Sequence, residues 1–195
     1  RSSDLLKSEY QYLAHKFGLR HMDASQWRFL RLRPQNFPHI RIAQLAQLYY
    51  EGRAGLSQLL DCETVRQMQE LLATQVTTYW ETHYVFGEES AKSEKRLSAA
   101  SLNLQIINTV IPVLFAYGRH KNSEKYCDRA FDFLEALKAE NNHIVRMWKE
   151  VGLTVETAGD SQALIQLKKE YCDRKDCLRC RIGYEYLKGR PSAQP

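Results

Sequence analysis

"SLNLQIINTVIPVLFAYG", Ser101 to Gly118, is the most apolar stretch of the chain, and how it is read decides the fold. Ser101 offers a side-chain oxygen to the unpaired N–H groups of a helix start. Pro112 implies a kink inside the helix, and Gly118 stands where a helix would stop. The apolar residues fall on more than one face, the pattern of a helix buried on several sides. The segment therefore predicts a central buried helix, greasiest from Ile106 to Phe115. Polar residues cut the apolar run before the roughly 20 residues that a bilayer span needs, so no transmembrane helix and no membrane partner is expected.

Downstream, Cys127, Ala130, Phe131, Leu134 and Leu137 form one amphipathic stripe, and Ile144, Met147, Trp148 and Val151 form another that Gly152 ends. "LTVETAGD" (Leu153 to Asp160) is the only stretch with strand-like content. Asp160 or Ser161 would cap a helix carrying Leu164, Leu167 and Tyr171, and a last short helix is expected from Ile182 to Leu187. The tail "GRPSAQP", of which 191–195 lies beyond the domain, is expected to be disordered.

Upstream, Leu6, Tyr10, Leu13 and Phe17 share one face of a first helix, from about Ser3 to Phe17, that Gly18 stops. Pro34 and Pro38 make "QWRFLRLRPQNFP" irregular. Pro38 then opens a helix whose stripe includes Ile42, Leu45, Ala46 and Tyr49, with Gly52 as its stop. Leu56, Leu59 and Leu60 mark a short helix, and Val65, Met68 and Leu72 the next, with Asp61 or Thr64 as caps. "TTYWETHYVFG" (Thr77 to Gly87) lacks strict alternation and is read as helical; "EESAKSEKRLS" (88–98) is read as an exposed mobile loop. The whole predicts an all-α fold, an irregular multi-helix bundle of about eight to nine helices, as one domain over 1–190. No helical-pair repeat recurs.

At 195 residues the chain is long enough to bury a core without a metal or a disulfide. The net charge of +5 is unevenly placed. Residues 1–60 carry nine Lys/Arg against four Asp/Glu, residues 61–167 carry eleven against fifteen, and residues 168–195 carry eight against four. Either the basic ends form a patch for an anionic partner, or they neutralise the acidic middle. Five cysteines with no secretory leader point to the cytoplasm, where thiols stay reduced. A chain that opens at Arg1 within a helical pattern reads as a fragment.

Three of the five cysteines crowd into "YCDRKDCLRC" (Tyr171 to Cys180). Cys172, Cys177 and Cys180 have the spacing C-x4-C-x2-C, which the plant-type iron–sulfur run also uses, with a fourth cysteine further along. A closed zinc site likewise needs four ligands. No cysteine follows Cys180, so the fourth would come from Cys127, Cys62 or one of the six histidines. The alternatives are zinc, an iron–sulfur cluster, or three thiols that bind no metal.

"RFLRLRPQNFPHIR" sets Arg28, Arg31, Arg33 and Arg41 among Trp27, Phe29, Phe37 and His39. Guanidinium groups and rings in this mixture suit phosphates and stacked bases. The same residues would equally anchor an irregular segment and satisfy free carbonyls. Lys175 and Arg179 extend the basic candidates at the other end. Glu81 and His83 stand two apart, which on a helix directs them to different sides, so a packed histidine is the plainer reading. The chain contains no G-x-S-x-G elbow, phosphate-binding glycine loop, H-E-x-x-H or dinucleotide fingerprint, so catalysis by this chain alone is not expected.

Four stretches together resemble an uncharacterised bacterial family, a domain of unknown function: "RLRPQNFPHIRIAQLA" (Arg31 to Ala46), "YWETHYVFG" (Tyr79 to Gly87), "INTVIPVLFAYG" (Ile107 to Gly118) and "DSQALIQLKKEYCDRKDCLRCRIG" (Asp160 to Gly183). The chain looks like the C-terminal half of such a protein, whose N-terminal half is similar to PD-(D/E)XK nuclease-like domains. The resemblance implies that metal-dependent phosphodiester chemistry would lie upstream, with that upstream domain as partner. It maps the family's cysteine motif onto Cys172, Cys177 and Cys180, and its arginine–proline motif onto Arg31, Arg33, Pro34, Asn36, Phe37, Pro38 and Arg41. The expected function is a non-catalytic helical accessory module that assists nucleic-acid binding. A structural or protein-interaction domain, or a module stabilised by zinc or an iron–sulfur cluster, is the alternative.

Overall fold

The computed structural model describes residues 2–33 and 36–189. Pro34 and the tail after Gly189, both the subject of expectations above, lie outside the described residues. Among the described residues helices dominate, with one short hairpin. By spatial clustering the chain divides into two compact units, 1–46 with 76–95 and 47–75 with 96–195.

The second unit is built around the apolar stretch. Helix α6 (Ala99–Gln105) runs through a widened π turn (Ile106–Val110) into α7 (Ile111–Lys121). Pro112 explains the widening: it has no N–H, and in a regular helix its ring would press on the carbonyl of Asn108. Pairing shifts so that Ile111 N–H donates to Ile106 O, while the Asn108 side-chain amide donates to Leu104 O at 2.9 Å. The cap is Ser98, whose hydroxyl accepts from Ser101 N–H, and not Ser101. Ala99–Lys121 is 23 residues long, and among the described residues it is the helix long and apolar enough to cross a membrane by length and composition. The reading of an interrupted run misses this, because the polar residues Ser101, Asn103, Gln105, Asn108 and Thr109 are outnumbered by apolar ones, and the basic Arg119, His120 and Lys121 stand in the last turn.

Gly118 does not end this helix; Asn122 does, at φ +50°. Gly118 serves a close crossing with α8 (Glu124–Ala136), since a Cβ there would sit 2.8 Å from Cys127 Sγ and 2.9 Å from Cys127 N. The buried side of α8 also differs from the stripe expected. Ala130, Phe133 and Leu137 are buried with Arg129, whereas Phe131 is exposed. Ile106, Ile107, Val110, Ile111 and Leu114 meet them in the core, joined by Cys62, Met68 and Ala158.

Helices α3 (Leu56–Asp61) and α4 (Val65–Leu72) supply Cys62 and Met68 around this core, and Thr64 caps α4 by accepting from Gln67 N–H. The Arg129 guanidinium donates to the carbonyls of Leu60 and Cys62, closing the end of α3 from inside. α9 (His143–Glu150) buries Ile144 and Val145, and Trp148 Nε1 donates to Leu164 O of α10 (Ala158–Leu167). The stretch read as strand-like contributes only an isolated bridge, Lys138 with Thr157. Thr157 caps α10, correcting the choice of Asp160 or Ser161. Its hydroxyl accepts from Asp160 N–H, and the Asp160 carboxylate accepts in return from Thr157 and Glu156 N–H.

The first unit starts with α1 (Ser2–Phe17), whose Leu6, Tyr10, Leu13 and Phe17 are exposed. α2 (Pro38–Tyr50) opens on Pro38 as expected, and Gly52 follows it at φ +66°. The segment read as one helix from Thr77 to Gly87 is a single turn, α5 (Thr78–Glu81), followed by a hairpin of β1 (His83–Val85) and β2 (Glu88–Glu89) turning at Gly87, φ +77°. β-branched and aromatic residues after Glu81 favour the pleated surface, and Gly87 supplies the left-handed turn.

Candidate functional site

Two motifs far apart in sequence come together in the first unit. Phe29 and Phe37 pack edge to face at 5.3 Å, and Phe37 does the same with Tyr84 at 6.5 Å. His39 lies between Phe29 and Phe86, at 5.3 and 5.4 Å, and stacks on Trp80 at 6.3 Å. Trp80 also meets Phe86 and Tyr79, at 5.0 and 5.2 Å. Such pairs orient one another through the quadrupole of each ring, beyond the area they bury. Trp27, Phe29, Tyr79 and Phe86 keep part of their surface in solvent, Phe86 most at 69% exposed.

A polar frame holds this cluster. Lys95, at 3% exposed, donates through Nζ to Glu81 O at 2.8 Å and to Ser93 Oγ at 3.1 Å, and lies 4.1 Å over the Tyr84 ring. The expectation that 88–98 is an exposed loop therefore fails at Lys95. Gln44 Nε2 donates to Lys95 O at 2.9 Å, and Arg41 Nη1 donates to Gln44 Oε1 at 3.0 Å while Nη2 reaches Asn36 Oδ1. Burial lowers the Arg41 pKa from its ordinary value. Arg41 is thus occupied inside the unit.

Arg28, Arg31 and Arg33 differ from it. All three are exposed, and none of their guanidinium groups has a hydrogen bond or ion pair among the described residues; the Arg33 carbonyl accepts from Asn36 N–H at 2.8 Å. Arg31 adopts φ +63°, a left-handed conformation that a non-glycine residue enters at a cost. His83, considered above as acid–base material, is on the hairpin; its Nδ1 lies 2.8 Å from Tyr79 O and its ring stacks on Tyr79 at 4.0 Å. His39 Nδ1 is buried without a partner.

The cysteine motif belongs to the second unit. α10 widens into a π turn (Lys168–Cys172), and turns carry the chain to Cys180 at the N-cap of α11 (Arg181–Leu187). Gly183 lets α11 close on this loop, since a Cβ there would lie 2.5 Å from Cys177 O. Cys172 and Cys177 are exposed, Cys180 is buried, and no disulfide links them. Among the described residues no three His, Cys, Asp or Glu side chains converge as a metal-holding group. Cys127, the candidate fourth ligand, packs at the α7–α8 crossing with its thiol 3.8 Å from Phe115 O. Burial pushes the Cys62 thiol pKa up, with Asp61 adding to the rise and Arg129 opposing it.

Local acids take up most of the basic residues around the motif. Arg174 pairs with Glu170 at 2.7 Å, Arg179 with Asp176 at 3.3 Å and Lys168 with Asp173. Lys175, at φ +54°, is exposed and has no such pair among the described residues. Of the six basic candidates, Arg41 and Arg179 are therefore engaged, and Arg28, Arg31, Arg33 and Lys175 are available to a partner.

A model of the family described as Protein of unknown function (DUF2851) matches residues 2–143, and the chain belongs to that family. No curated protein and no solved structure matches the chain.

Proposed function

We propose that this member of the DUF2851 family is a non-catalytic accessory module that contacts single-stranded nucleic acid through its first unit. The observation that carries the reading is the trio of exposed arginines, Arg28, Arg31 and Arg33, whose side chains have no partner among the described residues, in the segment that also holds Trp27 and Phe29. Guanidinium groups without internal partners can neutralise phosphates, and solvent-facing rings can stack on unpaired bases. Phe86, brought beside this segment through His39, adds a further ring. A nuclease-like half upstream, as the sequence resemblance implies, would supply phosphodiester chemistry while this module holds the strand. A cytoplasmic location agrees with reduced thiols and such a partner.

The test is anisotropy with a labelled oligothymidylate across a salt series. Binding should weaken as salt rises. The variant R28Q/R31Q/R33Q should bind more weakly and lower the log–log salt slope by about 2, at roughly 0.7 for each phosphate that is no longer neutralised. No binding at low salt, or an unchanged slope in the variant, removes the arginines from the account.

A second reading, a protein-interaction module, is favoured by a different feature. Between α7 and α8 lies an open groove of about 270 Å³, lined mainly by Ile107, Ile111, Pro112, Phe115, Phe131 and Leu134. Phe131→Asp should abolish capture of a protein partner without unfolding the chain, because Phe131 is exposed.

A further inference from the structure

Neither reading uses the apolar stripe of α1 (Ser2–Phe17). Leu6, Tyr10, Leu13 and Phe17 follow one another at steps of four, three and four, the spacing of a coiled-coil seam. All four face solvent, Leu6 at 70% and Phe17 at 63% exposed. A helix of 16 residues is marginal in water by propensity alone, and packing of its apolar face is what ordinarily holds it. A continuous stripe of large apolar side chains left in solvent marks an interaction surface.

The charges beside the stripe indicate what covers it. Glu9 and Lys16 stand on the same flank of the seam, each just before one of its aromatic residues. Neither has an opposite charge three or four positions away on its own helix, so no intrahelical pair employs them. Lys16 Nζ lies 5.6 Å from the centre of the Tyr12 ring and 5.3 Å from that of Phe17, which keeps the ammonium close to the seam. The opposite flank carries Lys7 and Ala14. In an antiparallel pair of α1 helices, Tyr10 packs against Leu13 of the second copy and Leu6 against its Phe17, so every layer sets a ring against an aliphatic side chain. The two-fold axis then brings Glu9 of each copy to Lys16 of the other, while Lys7 meets only Ala14. A parallel pair would set Tyr10 against Tyr10 and Glu9 against Ala14, and would gain no ion pair.

We propose that α1 is a self-association surface, joining two copies of this chain as an antiparallel two-helix coil centred between Tyr10 and Leu13. The seam supplies the apolar burial, and the reciprocal Glu9–Lys16 pairs select the second copy and its direction. The seam is short, so monomer and dimer exchange with concentration.

The experiment is sedimentation equilibrium of the whole chain from about 10 µM to about 1 mM, a range that reaches weak association. The parent should pass reversibly from monomer to dimer. Glu9→Lys alone and Lys16→Glu alone each oppose like charges twice, and each should dimerise about tenfold more weakly. The double variant E9K/K16E exchanges the signs and should recover the parent's affinity. An equimolar mixture of the two single variants should recover it as well, because each then meets its opposite. Leu13→Glu alters a side chain that is exposed in the monomer, so it should fold and remain monomeric. A parent that stays monomeric throughout overturns the proposal, and so do single variants that dimerise as the parent does. Weakened single variants with no recovery in the double variant or the mixture overturn the antiparallel register. R28Q/R31Q/R33Q should dimerise like the parent, so failure here and failure of the nucleic-acid reading are separate results.

Discussion

The two units bury different kinds of side chain. In the second, Ile106, Ile107, Val110, Ile111, Leu114 and Phe133 form a continuous apolar core, and among the described residues Arg129 is the charged group admitted to the buried set around it. In the first, the buried residues include Ile40 and Val76 but also Gln44 and Lys95, and the rest of the frame is rings that remain partly in water. Burial of apolar area is non-directional and summed over many atoms, whereas a buried ammonium depends on a few oriented acceptors. The comparison teaches that the second unit is held by summed apolar burial, whereas the first, with rings and arginines left in water, depends more on a few oriented polar contacts.

Four substitutions would break or sharpen that contrast. Phe133→Ala should be the most damaging, at about 3–5 kcal/mol in chemical denaturation, because it empties a position that is 2% exposed. A loss no larger than that of an exposed residue would mean that the core is not where the second unit gets its stability. Gly118→Ala should follow at about 1–3 kcal/mol, since the new methyl meets Cys127 N at 2.9 Å and Ser123 O at 3.0 Å as well as the thiol. Adding Cys127→Ala should therefore restore only a minor part of it.

Lys95→Met tests the polar frame of the first unit. It keeps the length of the side chain and removes the donor to Glu81 O and Ser93 Oγ, and should cost about 1–2 kcal/mol, with an altered fluorescence contribution from Trp80. A neutral outcome would reduce Lys95 to a space-filling residue. The smallest effect belongs to Asp160→Asn. Hydrogen bonds from Thr157 and Glu156 N–H lower the Asp160 pKa below its usual value, so its contribution is complete above the ordinary carboxylate range and is lost as pH falls through the lowered value. Asparagine still accepts from the backbone, so the variant should differ little in stability near neutrality and show a flatter decline in acid.

Much of the helical framework was legible because its signals are local. Pro38 at a helix start, Gly18, Gly52 and Gly152 after helix ends, and the apolar centre at Ile106 to Phe115 all act within a turn or two of their own position. The hairpin was missed because aromatic residues suit a strand or a packed helix, and only the Gly87 turn and pairing with Glu88 and Glu89 decide between them. Phe133 and Arg129 were missed on α8 because Phe131 offers an equally good stripe; the signal available was the Ala130, Phe133 and Leu137 spacing, which the neighbouring helix selects. At the candidate interface the arginine–aromatic segment was visible as composition. That Arg41 is engaged while Arg28, Arg31 and Arg33 are not depends on Gln44 and Asn36 being within reach.

By itself the sequence determined that the chain is helical, that its greasiest segment lies in the core, and that its ends are basic, since periodicity and charge follow from residue order alone. Tertiary structure decided which face of α8 is buried, that "YWETHYVFG" folds beside the arginine segment, and that Lys95 is interior. Each of those is a meeting of residues distant along the chain, set by which surfaces exclude water together and which donors find acceptors once they do.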